Sequence, residues 1–345
     1  MKKVAIITPN PELVINEHVV GGVDKYSLLL MRILRRHGYK VVIGTIPSFW
    51  SKLPAPICSI IPWTKMIQES VNLVIAQSPF GLNVPPRIPI VYVAHGSFAA
   101  SSHAHGTGFK QRMWRSFASL FERWSSKRAD YVVAVSEAVS RMLLKYYKRA
   151  ADEVILNAVD TDFWSYPCKS QHNKSKPICL FVGLPTKAKG FDVFCQVANS
   201  LYKEAEFVAV LGAHAKIPMH NKIHCIMGVD EVAMRNLYHN ADLILHPSRF
   251  EGCSYTLIEA WASSRITLMA PVGHVPEIAS RIPWVREFVI TSYDFNVWIK
   301  AVRNYLHLSD SAINDIKQKF FYLAKEFHSL PRWEEQWLQI LERFL

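Results

Sequence analysis

The chain is short of acid. It carries 28 aspartates and glutamates against 40 lysines and arginines, a formal net charge of +12 over 345 residues. That imbalance calls for an anionic partner or a tolerant surface, and nucleic acid, an anionic membrane face and phosphate-bearing substrates all qualify. No apolar run reaches the roughly 18 residues expected of a membrane-spanning helix. The apolar run that follows Lys2 and Lys3 is broken by Pro9 and Pro11, too early for a secretory signal. The six cysteines are scattered, with no CxxC pair, so reduced thiols are the plain reading. There is no internal repeat of 20–50 residues and no low-complexity tract. Clustered bases with exposed aromatics, or a known nucleic-acid module, are also missing, so nucleic acid ranks low as a partner. These absences lead to the expectation of a cytoplasmic protein, with a peripheral position on the inner face of the membrane left open.

What is present is apolar and periodic. Half of the residues are hydrophobic (50%), enough for packed cores and for about two domains. Short apolar runs at 4–8, 41–43, 73–76, 90–93 and 131–135 alternate with helical patterns at 24–37 and within 109–128. After a polar stretch, Ser165 to Pro177, the alternation restarts, with runs at 178–182, 207–211, 223–227 and 243–246. Apolar runs separated by helices imply parallel sheets wrapped by helices. The expected fold class is α/β, two doubly wound parallel-sheet domains facing across a cleft. The first is expected over 1–165 and the second over 166–331. Ligands of such sheets bind beyond the carboxyl ends of the strands.

Four loops at those ends carry chemistry. Gly21-Gly22 precedes a helix and permits close approach of a phosphate; a flexible turn is the alternative. His95-Gly96 follows a strand, and His95 either meets a ligand or bonds a backbone carbonyl. Gly183 to Gly190 offers Lys187 and Lys189 as point charges for a diphosphate, or is a solvated basic loop. The fourth loop runs Glu251-Gly252-Cys253-Ser254-Tyr255-Thr256 into a helix that holds Glu259. A turn feeding a helix points amides and partial positive charge at one spot, and two carboxylates beside it suit sugar hydroxyls. Glu259 lies between apolar neighbours, where an unpaired carboxylate is costly.

These loops, in this order, resemble the retaining glycosyltransferases of family 4, of the GT-B type. Further matches are Ser136-Glu137, Asn157 to Phe163, His246-Pro247-Ser248, Val272 to Glu277 and Arg332-Trp333-Glu334. The resemblance implies transfer of a sugar from a nucleotide-diphosphate donor, with a UDP-sugar expected and no metal or other cofactor. It implies that Glu251 sits at the donor sugar, Glu259 at the ribose and His95 near the anomeric carbon. It gives Lys189 to the diphosphate, assisted by amides near Gly22 and Tyr255. It returns the helix 332–345 to the first domain. Departures include Leu184 where the family commonly has arginine, for which Lys187 could stand in, and Cys253-Ser254 in the turn. Asp160 and Asp162 form a D-x-D, but in this register they belong to an interdomain segment rather than a metal site. His103 and His105 lack a third ligand nearby in sequence.

On the acceptor side, Ser97 to Gly108 reads as a mobile polar loop. Residues 109–128 follow with six bases against Glu122, and Trp114, Phe117, Phe121 and Trp124 form a stripe. That stripe packs in the core, or it meets a membrane surface or an anionic acceptor. The expected acceptor is a glycan or glycolipid, with lipopolysaccharide core or another surface polysaccharide foremost. A sugar-nucleotide epimerase or a non-catalytic partner subunit is the rival reading.

Overall fold

The structure is a computed structural model. It describes residues 2–17, 21–44, 70–104, 109–165, 176–212 and 221–345. Most of the expected linker, residues 166–175, and His105 to Gly108 lie outside the described residues, as does the His103–His105 pair.

The chain forms two compact units, Met1–Asn157 with Trp333–Leu345, and Ala158–Arg332. The first holds a six-stranded, wholly parallel sheet ordered β2-β1-β3-β4-β5-β6. Its strands are β1 (Lys3–Ile7), β2 (Lys40–Ile43), β3 (Leu73–Gln77), β4 (Ile90–Ala94), β5 (Tyr131–Ala134) and β6 (Glu153–Val154). β3 and β4 are buried from end to end, as strands covered by helices on both faces must be. The helices are α1 (Pro11–Ile15), α2 (Gly22–Arg36), α3 (Phe98–Ala104), α4 (Phe109–Arg128) and α5 (Glu137–Tyr147).

The second unit opens with α6 (Thr161–Trp164). Its parallel sheet is ordered β11-β10-β7-β8-β9, from β7 (Ile178–Val182), β8 (Glu206–Leu211), β9 (His224–Met227), β10 (Leu243–His246) and β11 (Ile266–Met269). Around it lie α7 (Phe191–Leu201), α8 (Glu231–Asn240), α9 (Tyr255–Ala262), α10 (Val275–Arg281), α11 (Phe295–Leu306) and α12 (Asp310–His328). The last helix, α13 (Leu330–Phe344), leads back to the first unit. There Trp333, Trp337, Ile340 and Leu341 are buried at helical spacing, and Tyr26 of α2 meets the Trp333 ring edge-on at 5.0 Å.

Three details differ from the sequence reading. The units divide at Asn157 rather than Ser165, because α6 is held by the second unit. Trp164 packs edge-on against Tyr238 of α8 at 5.7 Å, and Arg235 lies over the Phe163 ring. Phe98–Ala104 of the expected loop forms helix α3, which Ser97 opens by accepting from Ala100 N at 3.3 Å. The aromatic stripe of α4 is split. Phe121 is buried and Trp114 half-buried, while Phe117 and Trp124 are exposed. Among the described residues no helix is long and apolar enough to cross a membrane.

In the second sheet the chain leaves β7 toward β8 on one side and returns to β10 on the other. The crevice between β7 and β10 is thus the switch point, where the two following loops diverge around a ligand site. One glycine fixes how closely those loops meet. Gly190 has φ +73°, and a Cβ there would stand 2.0 Å from the Pro247 carbonyl oxygen. We expect Gly190→Ala to lower the thermal midpoint clearly more than Gly38→Ala. Gly38 has a similar φ, +77°, but open space around it, so both variants carry the left-handed penalty of about 1–2 kcal/mol and only one carries the clash. Equal losses in differential scanning calorimetry would contradict this packing.

Candidate active site

The loop after β10 brings its groups together around one carboxylate. Glu251 Oε1 accepts from Lys189 Nζ at 2.6 Å and from Ser248 Oγ at 2.7 Å. His246 Nε2 lies 3.5 Å from the same oxygen and 3.0 Å from Ser254 Oγ. Burial pushes the Glu251 carboxyl up, but the Lys189 ammonium and the His246 hydrogen bond outweigh it and hold the group well below the usual carboxylate range. The carboxylate is therefore ionised at all physiological pH. Lys189 reaches it from a 3-10 turn, Lys187–Lys189, and its own N–H donates to Thr186 Oγ1 at 3.4 Å. Arg249 clamps the two loops. It bonds Asp192 through two nitrogens (2.7 and 2.9 Å), gives its own amide to Ala188 O at 2.7 Å, and stacks over the Tyr293 ring at 4.6 Å.

Ser254 occupies the N-cap of α9 but caps nothing with its side chain, because its hydroxyl is turned to His246. With that side chain turned away, the start of α9 still presents its share of the helix dipole to an anion. His274 closes the site from the loop after β11. Its Nδ1 accepts from Ser254 N at 3.4 Å, and burial together with the neighbouring His328 and His246 holds its ring neutral. Its neighbour Gly273 approaches the Gly252 carbonyl so closely that a Cβ would stand 2.6 Å away.

Of the residues expected from the sequence, Glu251, Lys189, Gly252, Cys253 and Ser254 are gathered here. Tyr255 and Thr256 begin α9. Gly183 follows β7, its N–H donating to Val210 O, and Lys187 is exposed beside Lys189. Glu259 lies a further turn along α9, buried, with the Tyr238 hydroxyl 3.3 Å from its Oε2 and 3.2 Å from Thr256 O. Asp160 acts as a helix cap, its Oδ1 accepting from Asp162 N and Phe163 N. His246, Ser248 and His274 were visible in the sequence as parts of motifs. Nothing in their spacing said that they converge on Glu251.

Gly21, Gly22 and His95 belong to the first unit. Gly21 N–H donates to Asp24 Oδ2 at 3.2 Å, and Asn10 donates to the same carboxylate. The start of α2 thus already faces a buried carboxylate, which an arriving anion would have to tolerate. His95 Nε2 lies 2.6 Å from Gln77 Oε1, and its ring meets Tyr26 edge-on at 4.9 Å. Burial pushes the His95 ring down to about 3, so it is neutral. The loop that carries His95 is held from α4. Glu122 Oε2 accepts from Phe98 N at 2.7 Å and from the Tyr147 hydroxyl, while Oε1 accepts from Ser78 Oγ at 2.6 Å.

Two parallel, doubly wound sheets in one chain, the second with a charged site at its switch point, are the architecture of the GT-B glycosyltransferases. The family model described as Glycosyltransferase Family 4 matches residues 3–163, and that described as Glycosyl transferases group 1 matches residues 176–307. The chain therefore has the two-domain GT-B fold, its first part matching a family 4 model and its second a group 1 model. A glycogen synthase of Paracoccus denitrificans is 28% identical over 144 residues, 34% of this chain and 31% of that protein. The chain thus matches about a third of the length of such curated relatives. Among solved structures, a sucrose-phosphate synthase from Thermosynechococcus elongatus superposes with a TM-score of 0.80 at 16% identity, covering 99% of both chains. Anabaena Alr3699/HepE, solved in complex with UDP-glucose, gives 0.71 at 14% identity, covering 99% of this chain and 100% of its own. At such identities the likeness speaks for the fold alone.

Glu122 yields a pH prediction. Burial pushes its carboxyl up to about 7, against the lowering effect of its hydrogen bonds. The unfolded chain releases this proton near pH 4.5 and the folded chain only near 7. Stability from this group is therefore lost as pH rises between those values, by about 3 kcal/mol. Glu122→Gln cannot titrate. Its unfolding free energy relative to the parent should rise from pH 5 to pH 8. Parallel curves in urea titrations would overturn the assignment.

Proposed function

We propose that the chain transfers a sugar from a nucleotide-diphosphate sugar to a hydroxyl of a glycan or glycolipid acceptor, with retention of configuration and without a metal. The observation that carries this reading is the part-buried, ionised Glu251 paired with Lys189 beside the start of α9. As the bond from C1 to the diphosphate breaks, negative charge grows on the leaving group. Lys189 and the first-turn amides of α9 stabilise charge that develops there, which accelerates the reaction more than binding the ground state would. Glu251 holds the donor hydroxyls and supports the reacting centre, and Glu259 takes the ribose. Neutral His95 contacts the sugar near the anomeric carbon, and Lys187 supplements the diphosphate charge. In a front-face pathway the leaving phosphate takes the acceptor proton, so no separate strong base is required.

A UDP-sugar is the proposed donor, in line with the UDP-glucose held by the Anabaena structure. For the acceptor, the net charge of +12 favours an anionic glycan such as lipopolysaccharide core. The relatives named glycogen synthase favour a neutral glucan as the second reading. The test is a screen of UDP-, GDP- and ADP-sugars against both acceptor types, with product configuration read by NMR. One donor should be turned over with retention, and Glu251→Gln should lower kcat by about 10²–10³-fold. If no sugar nucleotide is bound or consumed, the transferase reading fails.

A further inference from the structure

Helix α4 has two opposed faces, and its rotation is fixed from the inside. Glu122 is 3% exposed and takes the three hydrogen bonds described above, while Ser125 Oγ donates to Pro79 O at 2.7 Å. Ala118 and Phe121 are buried on the same side. With that face turned inward, the opposite one must point out, and it is apolar. Met113, Phe117, Leu120 and Trp124 are 58%, 41%, 42% and 51% exposed. They recur at i, i+4, i+7 and i+11, a single narrow stripe along three turns. Arg112, Arg123 and Lys127 are exposed along one flank of the stripe. The only acid of the helix is the buried Glu122.

We infer that this outer face of α4 lies in the headgroup region of a bilayer that contains anionic lipids. Large apolar side chains standing in water at one stripe mark an interaction surface rather than scattered exposure. The bases decide which partner fits. A second copy of the chain would bring two basic flanks together, whereas an anionic headgroup layer neutralises them and receives the apolar tips beside it. Trp124 and Lys127 are suited to that depth, where an amphipathic ring and a long charged stem both reach from hydrocarbon to water. The surface belongs to the first unit and does not depend on which donor or acceptor is used.

The experiment is co-sedimentation of the full chain with vesicles of phosphatidylcholine, with and without 30 mol% phosphatidylglycerol. Binding should require the anionic lipid and weaken with salt. Phe117→Ser with Trp124→Ser should reduce partitioning about tenfold or more, and so should Arg123→Glu with Lys127→Glu. The charge pair alters no buried contact, so it keeps the test decisive if the apolar pair unfolds the protein. Thermal midpoints and donor turnover in detergent-free buffer should stay at the parent level. Failure of the parent to bind, or equal binding by the charge-reversed variant, would overturn the inference. A concentration-dependent dimer that Phe117→Ser with Trp124→Ser abolishes would also overturn it, by assigning the face to a second copy.

Discussion

An ionised carboxylate cannot stay largely shielded from water without partners, and the second unit is arranged around that requirement. Desolvating Glu251 costs several kcal/mol unless charge and hydrogen bonds compensate. Lys189, Ser248 and His246 supply them, and each comes from a loop or strand end that the sheet order delivers to the same crevice. The β7 loop brings the lysine, the β10 loop brings the serine and the carboxylate, and the strand end brings the histidine. Close approach at Gly190 and the Arg249–Asp192 clamp then remove the freedom that would let the pair drift apart. On the proposed function, charge is thereby placed before a donor arrives, so little reorganisation is needed when a leaving group becomes negative.

The first unit uses a buried carboxylate in the opposite sense. Glu122 has no cation against it in its hydrogen-bonded cluster, only hydroxyls and one amide, and its carboxyl is pushed up rather than down. Its work is positional. It organises the start of α3 two residues after Gly96 and so fixes the segment that carries His95. Because it sits on α4, it also sets which side of that helix faces outward. The histidine loop and the exposed apolar stripe are thus two consequences of one side chain.

The sheets were legible in the sequence because parallel strands covered on both faces must be apolar throughout. Val4 to Ile7 and Leu73 to Ala76 cannot easily be anything else. Lys189 and the segment from Glu251 to Glu259 were legible because glycine, charge and a following helix share a short stretch. What was not legible depends on contacts between distant segments. The helical state of Phe98–Ala104 rests on a carboxylate 24 residues away, and its small polar residues read locally as a loop. The convergence of His246 and His274 on the Glu251 turn needs the β10–β11 register. The split of the α4 stripe could not be read from spacing at all, since Trp114 and Trp124 are equally apolar and only packing separates them.

The central claim is that Lys189, held by Glu251, is set to receive a diphosphate. Calorimetric affinities of UDP and UMP for the parent chain and for Lys189→Met address it most directly. The account predicts that the parent binds UDP at least about tenfold more tightly than UMP and that Lys189→Met removes most of that difference while leaving UMP affinity unchanged. Equal affinity for the two nucleotides in the parent, or an undiminished preference in the variant, would contradict it.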